Sequence, residues 1–175
     1  MNPSGHTIQS LIDHHADNIP EQEYVVYPET GTTFTWKEFQ QQVQSVADYL
    51  SAKGLSRELP VAGLLGNGQT ALELFLGGMY GGFQILLANP LSGRDILAYV
   101  IEHSETKILF VAHEYRELAE EALSQLSNKP EVVLNQSGNI SAWNNFSPVK
   151  KQIGYIPKPK EKSLLIYTSG TTGRP

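Results

Sequence analysis

The residues best suited to chemistry lie in the stretch SLLIYTSGTTGRP at the end of the sequence. An apolar run, LLIYT, leads directly into SGTTG, which combines two glycines with several hydroxyl side chains. Glycine lets the backbone approach an anion closely, and hydroxyl and main-chain N–H groups donate hydrogen bonds to it. A hydrogen bond to a charged acceptor contributes about 1.5–3 kcal/mol, so a few such donors can hold a polyphosphate without a cationic side chain. The stretch therefore predicts a phosphate-binding loop, with candidate residues Thr168, Ser169, Gly170, Thr171, Thr172 and Gly173.

Two common phosphate-binding motifs are excluded at this position. A Walker loop needs G-x-x-x-x-G-K-[ST], whereas Gly170 and Gly173 are three residues apart and are followed by Arg174 and Pro175. The dinucleotide fingerprint G-x-G-x-x-G does not match either. The loop therefore belongs to another type of phosphate site.

The other chemically capable residues favour structural interpretations. His14 and His15 are adjacent on a predicted helix and point about 100° apart, which suits joint metal ligation poorly. No metal site is predicted, and His103 and His113 receive no role. The glutamates between 114 and 121 have the spacing of a solvated helix face, and the lysines between 150 and 162 that of a solvated connector. Trp36 and Trp143 are expected to be packing anchors.

Hydrophobic periodicity and turn residues predict the elements that must position the loop. Helices are expected over 7–17, 35–50, 69–82, 92–104 and 114–126. Strands are expected over 23–27, 60–65, 83–88, 107–112, 131–135 and 162–168, and FTW at 34–36 is expected to pair back on 23–27 as a hairpin. Residues 136–161 read as a long surface connector, with one short element around 143–146.

Two helix starts carry capping signals. Thr35 and Glu38 have the spacing of a capping box, and Ser92 with Asp95 has the same spacing. In the helix predicted over 69–82, two Gly-Gly pairs each lower helix propensity by about 1 kcal/mol per residue. They predict close packing against another backbone or an early end of the helix.

Short apolar runs that alternate with amphipathic helices predict an α/β fold with a mostly parallel sheet flanked by helices. The length of 175 residues suits about one domain, and the residues are numerous enough for a core without disulfides. The formal charge of −5 argues against a nucleic-acid partner.

Several protein classes are disfavoured by what the sequence lacks. The sequence has no cysteine, which excludes disulfides and thiolate chemistry and fits a reducing compartment. The longest apolar run, FQILLA, is far short of the roughly 20 residues of a transmembrane helix. The N-terminus shows no signal peptide and starts with Met1, which we interpret as the natural start of a cytoplasmic protein.

The terminal motif resembles that of a known family. YTSGTTGRP, from Tyr167 to Pro175, resembles the phosphate-binding signature of the adenylate-forming enzymes, which include acyl-CoA synthetases, luciferases and peptide-synthetase adenylation domains. FTWKEF and the stretch from VAGLLGNG to KILFV resemble the family's upstream segments, so the likeness covers most of residues 30–175. The sequence departs from the family pattern at Gly81, within LLANP, and at Gln69 and Thr70.

The resemblance implies a two-step reaction that uses ATP and Mg²⁺. A carboxylate and ATP form an acyl-adenylate and pyrophosphate, and the acyl group then passes to the thiol of CoA or of a carrier-protein pantetheine. The implied role of residues 168–173 is to hold the β- and γ-phosphates. The family's lysine after the signature, its later motifs and its C-terminal domain have no counterpart here, so residues 1–175 are expected to be part of the N-terminal, AMP-binding domain. No catalytic residue is expected within the chain, which is predicted to be inactive alone.

Several alternatives remain open at this stage. The segment NPLSGRDILAYVIEHSE favours an acyl-CoA synthetase, and a fatty acyl-AMP ligase or peptide-synthetase-type adenylation protein is the close rival. A hypothesis of another class is a non-catalytic interaction module that self-associates through an exposed apolar interface. The carboxylic acid, the thiol acceptor and the oligomeric state are left undetermined.

Overall fold

The structure is a computed structural model that describes residues 5–28, 30–135 and 155–168. Its helices are α1 Ile8–Asn18, α2 Trp36–Ala52, α3 Gln69–Tyr80, α4 Arg94–Ser104 and α5 Arg116–Ser124. Its strands are β1 Glu23–Tyr27, β2 Thr32–Thr35, β3 Val61–Leu64, β4 Ile85–Leu87, β5 Ile108–Ala112 and β6 Glu131–Asn135. Short 3₁₀ turns span Pro90–Ser92 and His113–Tyr115.

The central sheet has the strand order β4-β3-β5-β6, and every pair in it is parallel. Helices cover both of its faces, so β3 and β5 are buried along their whole length. On one face Leu64 and Val111 pack with α4 and α5, and on the other Val61 and Phe110 pack with α2 and α3. The predicted α/β architecture with a parallel sheet between helices is confirmed.

The predicted hairpin is also present. β1 and β2 pair in antiparallel fashion, with Tyr27 opposite Thr32 and an irregular register near Glu23. The hairpin packs on α1, α2 and α3 through a cluster that includes Phe39, Val43 and Tyr80. It forms a second small sheet outside the parallel one.

The Thr35 capping box is confirmed at the start of α2. The main-chain N–H of Glu38 donates to Thr35 Oγ1 at 3.3 Å, and Thr35 N–H donates to Glu38 Oε2 at 2.9 Å. These bonds satisfy N–H groups that have no partner within a helix. Thr35 therefore ends β2 and caps α2 at the same time, so the hairpin continues directly into the helix.

The glycine pairs allow α3 to lie close to its neighbours, although the contacts are with side chains and not with another backbone. A Cβ on Gly77 would lie 2.6 Å from Val46 Cβ, and one on Gly78 would lie 2.1 Å from Ile85 Cδ1. The helix also ends earlier than predicted, at Tyr80, and Gly82 follows with φ of +76°.

The predicted capping box at Ser92 and Asp95 is wrong. The N-cap of α4 is Gly93, with no side-chain hydrogen bond to the helix. Ser92 Oγ instead donates to the main-chain oxygen of Asn89 at 2.7 Å, and Asn89 Oδ1 accepts from the N–H of Leu91 at 2.9 Å. Asn89 thus organises a 3₁₀ turn that uses the hydroxyl of Ser92, and α4 begins two residues later than predicted.

Several further predicted boundaries differ from the structure. α5 begins at Arg116, because His113–Tyr115 form a 3₁₀ turn, and it ends at Ser124. The predicted strand over 162–168 forms a single parallel bridge, between Leu164 and Ile85. Its partner β4 has only three residues, which leaves little length for a longer ladder.

Residues 155–161, the described part of the predicted connector, form neither helix nor strand. The Arg57 side chain lies over two rings, with its Cζ 4.2 Å from the Tyr155 ring centroid and 4.6 Å from that of Phe83. Tyr155 Oη donates to Glu161 Oε1 at 2.7 Å. The Arg57 contacts hold Tyr155 beside Phe83, which lies two residues before β4. The rest of the connector, with its predicted element at 143–146, lies outside the described residues.

Candidate functional site

Residues 155–168, here called the returning segment, bring the chain back to the sheet. The candidate site begins where this segment leaves the sheet. Ile85 N–H donates to Ser163 O at 3.0 Å, and Leu165 N–H donates to Ile85 O at 2.9 Å, so the segment runs parallel to β4. The carboxyl ends of parallel strands meet at one edge of a sheet, and ligands of open α/β sheets bind outside that edge. Thr168 therefore leaves the sheet on the side where α/β proteins bind their ligands, and it is exposed.

Thr168 is the one candidate residue that the structure describes. The other five, Ser169, Gly170, Thr171, Thr172 and Gly173, lie outside the described residues. The phosphate-binding role of all six therefore stays a prediction.

A cluster of aromatic rings holds the residue before Thr168. Tyr167 Oη lies 2.7 Å from Nδ1 of His103, which belongs to the last turn of α4. Tyr99, one turn earlier, stacks on His103 with centroids 5.3 Å apart and meets Tyr167 edge-on at 6.5 Å. Partial burial, followed by the effect of Tyr99, raises the pKa of Tyr167, so its hydroxyl keeps its proton at neutral pH.

His103 was assigned no role from the sequence, and no local pattern reveals this contact. It lies 64 residues before Tyr167, and only the return of the chain beside β4 brings the two together. The one sequence signal is that Tyr99 and His103 are four residues apart on a helix, which places them on the same face.

A second concave region of the carboxyl edge lies where the loops after β3 and β5 diverge. The first leads to α3 on one face of the sheet and the second to α5 on the other, which makes this point the topological switch of the sheet. Residues 66–71, which run from the β3–α3 turn into the first turn of α3, line a cavity of about 90 Å³ there with Ala112, Glu114 and Asn135.

The lining of this crevice is of mixed polarity. The first N–H groups of α3 have no acceptor within the helix and favour an anion, whereas the Glu114 carboxylate opposes one. Asn135 Nδ2 donates to Thr70 Oγ1 at 2.9 Å. The Glu114 carboxylate therefore disfavours phosphate in this crevice.

Two larger cavities among the described residues lie at the opposite, amino end of the sheet. One of about 500 Å³ is lined by Arg57, Tyr155 and Lys162, and one of about 230 Å³ by Met79, Pro157 and Lys162. Both cavities border Gly82, which precedes β4, so they lie at the end of that strand opposite to Thr168. Their size therefore does not identify the chemical site.

Residues 5–28, 30–135 and 155–168 contain neither a cluster of metal ligands nor a helix that could span a membrane. Within these ranges no three His, Asp or Glu side chains come together as a metal site. No helix in the described part of the chain is long and apolar enough to cross a bilayer.

Comparison with known proteins agrees with the α/β architecture and its parallel sheet. The model of the AMP-binding enzyme family matches residues 12–175. The chain therefore belongs to this family of adenylate-forming enzymes. The resemblance inferred from YTSGTTGRP is confirmed at this level.

Two relatives indicate the breadth of the family. Sulfoacetate–CoA ligase of Cupriavidus necator is 28% identical over 175 residues, which cover 97% of this chain and 33% of that protein. Tyrocidine synthase 2 of Brevibacillus parabrevis is 28% identical over 170 residues, which cover 97% of this chain and 4% of the synthase. The chain thus spans about a third of the length of the CoA ligase that it matches.

Solved structures confirm the fold. The anthranilate CoA ligase AuaEII, in complex with anthranoyl-AMP, aligns with a TM-score of 0.81 at 17% identity, over 98% of this chain and 33% of that one. The N-terminal domain of FACL13 from Mycobacterium tuberculosis aligns with a TM-score of 0.77 at 18% identity, over 94% and 42%. At these identities the likeness establishes the shared architecture alone.

Proposed function

We propose that the chain forms the phosphate-loop part of an ATP-dependent acyl-CoA synthetase. In the proposed reaction a carboxylate oxygen attacks the α-phosphorus of ATP, and pyrophosphate leaves. The sulfur of a thiol then attacks the acyl carbonyl, and AMP leaves. The observation that carries the proposal is the parallel course of the segment at Leu164, which directs Thr168 to the carboxyl edge of the sheet.

In this proposal residues 168–173 hold the β- and γ-phosphates. Hydroxyl and main-chain N–H donors suit these oxygens, and donors fixed before the reaction stabilise the charge that moves onto the departing pyrophosphate. Thr168 fits this role, because it is exposed at the carboxyl edge directly after a residue held by a side-chain contact. Bound Mg²⁺ would supply positive charge beside the same phosphates.

The thiol that accepts the acyl group and the carboxylic acid substrate are also part of this proposal. Relatives named as CoA ligases favour CoA as the thiol, and synthases of the peptide-synthetase type favour a carrier-protein pantetheine. A fatty acyl-AMP ligase, or another adenylation protein, is the alternative enzyme. We place the protein in the cytoplasm, with a small carboxylic acid as substrate and fatty acid metabolism as one setting.

We further propose that residues 1–175 are part of the N-terminal domain and do not adenylate a carboxylate by themselves. The chain corresponds to about a third of the length of the CoA ligases that it matches, so most of such an enzyme has no counterpart in it. A non-catalytic module is the alternative of another class. The exposed side chains of Leu87, Leu164 and Ile166, on and beside β4, favour self-association in that case.

The test separates nucleotide binding from turnover. The chain, ¹⁵N-labelled, is titrated with Mg-ATP, and amide shifts are followed for residues 168–173. We expect millimolar binding that shifts these amides and is weakened about tenfold or more by Thr168→Val, which removes one donor to a charged acceptor at constant shape. Thr33→Val, on the exposed face of β2, is the matched control and should leave binding unchanged.

Two outcomes would contradict the proposal, one its phosphate-binding role and the other the inactivity of the chain alone. A folded chain whose loop amides do not respond to Mg-ATP would remove the phosphate-binding role. Pyrophosphate release above a protein-free blank, with ATP and a panel of carboxylates, would show instead that the chain is active alone.

A further inference from the structure

The main chain holds only the beginning of the returning segment. The bonds from Ile85 N–H to Ser163 and from Leu165 N–H to Ile85 form a bridge centred on Leu164. Two residues later the segment is held by a side chain, because Tyr167 Oη meets His103 Nδ1 at 2.7 Å. This is the described side-chain contact nearest to Thr168 along the chain.

The histidine ring is itself held in place. Tyr99 stacks on it with an interplanar angle of 27°, and the Tyr167 ring stands nearly perpendicular to it, at 87°. Tyr167 also packs against the apolar cluster between the sheet and α4. A fixed imidazole and a fixed phenol ring leave the end of the segment little freedom to rotate or shift.

We propose that His103 is a positioning residue for the phosphate loop, acting through the hydroxyl of Tyr167. This inference rests on the proposed function, in which residues 168–173 bind phosphate. In this inference the Tyr167 hydroxyl donates to Nδ1, which requires the imidazole proton to be on Nε2. Holding the residue before Thr168 reduces the conformational freedom that residues 168–173 must lose on binding phosphate. His103 touches neither ATP nor the acid.

The structure provides variants that separate positioning from general stability. His103 is exposed on α4, so shortening its side chain opens no cavity. Tyr167→Phe keeps the ring in the apolar cluster and removes the hydroxyl alone. His103→Leu removes the acceptor, and His103→Gln restores one through its amide oxygen. His113→Leu, an exposed histidine on the turn after β5, is the matched control.

Three measurements on the 175-residue chain test the proposal. The first is the Mg-ATP dissociation constant, expected to rise about three- to tenfold in Tyr167→Phe and His103→Leu, the range of one lost hydrogen bond. The double variant should lose no more than either single one, His103→Gln should recover part of the loss, and His113→Leu should bind as the parent does. The second is the urea midpoint, expected to be the same in all variants.

The third measurement does not depend on ATP. Amide hydrogen exchange at Thr168 and the following residues should be faster in Tyr167→Phe and His103→Leu, and ¹⁵N shifts of the His103 ring should show the proton on Nε2 in the parent. If the parent fails to bind Mg-ATP while these effects on exchange appear, the proposed function fails and the positioning contact stands. If exchange and affinity are the same in all variants, or if losses add in the double variant, the role of His103 is overturned.

Discussion

Gly77 of α3 lies directly against Val46 of α2, so close that a Cβ on the glycine would be 2.6 Å from the Cβ of the valine. The neighbouring atoms belong to a β-branched side chain that is fully buried. A branched side chain fixed in a close-packed core has no room to move aside. The approach of α2 to α3 therefore depends on the absence of a side chain at this position.

The first prediction is that Gly77→Ala destabilises the fold by about 1–3 kcal/mol, the usual range for overpacking. In an exposed helix the same change would stabilise, because alanine has the higher helix propensity. The free energy of unfolding from urea titrations decides the sign. Gly66→Ala is the control, since the nearest atom to its Cβ would be at 3.5 Å, an ordinary contact. A stabilised Gly77→Ala variant would show that the helices are less close than described.

The second prediction concerns the start of α2. Thr35→Ala removes the side chain that caps the Glu38 N–H, and we expect the free energy of unfolding to fall by about 0.5–2 kcal/mol. Thr35→Ser keeps the hydroxyl and should retain most of the stability. Equal losses in the two variants would assign the effect to the threonine methyl group and not to the cap.

The third prediction is a pH dependence at the same cap. Hydrogen bonds from the N–H and hydroxyl of Thr35 lower the pKa of Glu38 below its ordinary value. A carboxyl group with a lowered pKa in the folded state stabilises the fold above its ordinary pKa, and the contribution is lost as the pH falls through the lowered value. Glu38→Gln should therefore be less stable than the parent at neutral pH, with a difference that shrinks towards acid pH. A difference that does not change with pH would contradict this assignment.

Local signals predicted much of this architecture, and the exceptions have physical causes. The Thr35 cap could be predicted because both partners lie within one helical turn. The Ser92 cap was wrong because Asn89 competes for the same hydroxyl and forms a 3₁₀ turn, which a spacing rule does not weigh. The position of Thr168 at the carboxyl edge follows from the parallel pairing at Leu164, whereas His103 could not be found, since its partner is distant in sequence.

The fourth prediction concerns a polar network between α1, α2 and α3. Asp13 Oδ1 accepts from Tyr80 Oη at 2.6 Å and from Gln40 Nε2 at 2.7 Å, and Gln44 Nε2 donates to Tyr80 Oη at 3.0 Å. Burial, followed by the hydrogen bond to Asp13, raises the pKa of Tyr80 well above its ordinary value. Asp13→Asn keeps the shape and removes the charge, so the pKa of Tyr80 should fall in this variant.

The ultraviolet absorbance of tyrosinate, followed as the pH rises, measures this change, and Tyr80→Phe identifies which titration belongs to Tyr80. In Tyr80→Phe the Asp13 carboxylate also loses a donor, which should lower the free energy of unfolding by about 1–3 kcal/mol. A Tyr80 titration that does not move in Asp13→Asn would mean that burial alone sets this pKa.

The fifth prediction tests how the returning segment is attached. Arg57 lies between the rings of Phe83 and Tyr155, and its Nε donates to the main-chain oxygen of Gly81 at 3.0 Å. A cation on an aromatic face contributes about 0.5–2 kcal/mol, depending on how far it is removed from water. Arg57→Met keeps an apolar stem and removes the charge and both side-chain hydrogen bonds, to the Gly81 oxygen and to Ser51 Oγ. We expect amide exchange at Leu165, whose N–H bonds to Ile85, to become about two- to thirtyfold faster.

Lys53→Met removes an exposed ion pair with Glu131 and should leave this exchange unchanged. If both variants exchange like the parent, the bridge at Leu164 is held by its main-chain bonds, and the Arg57 contacts are not needed to keep Thr168 at the carboxyl edge of the sheet.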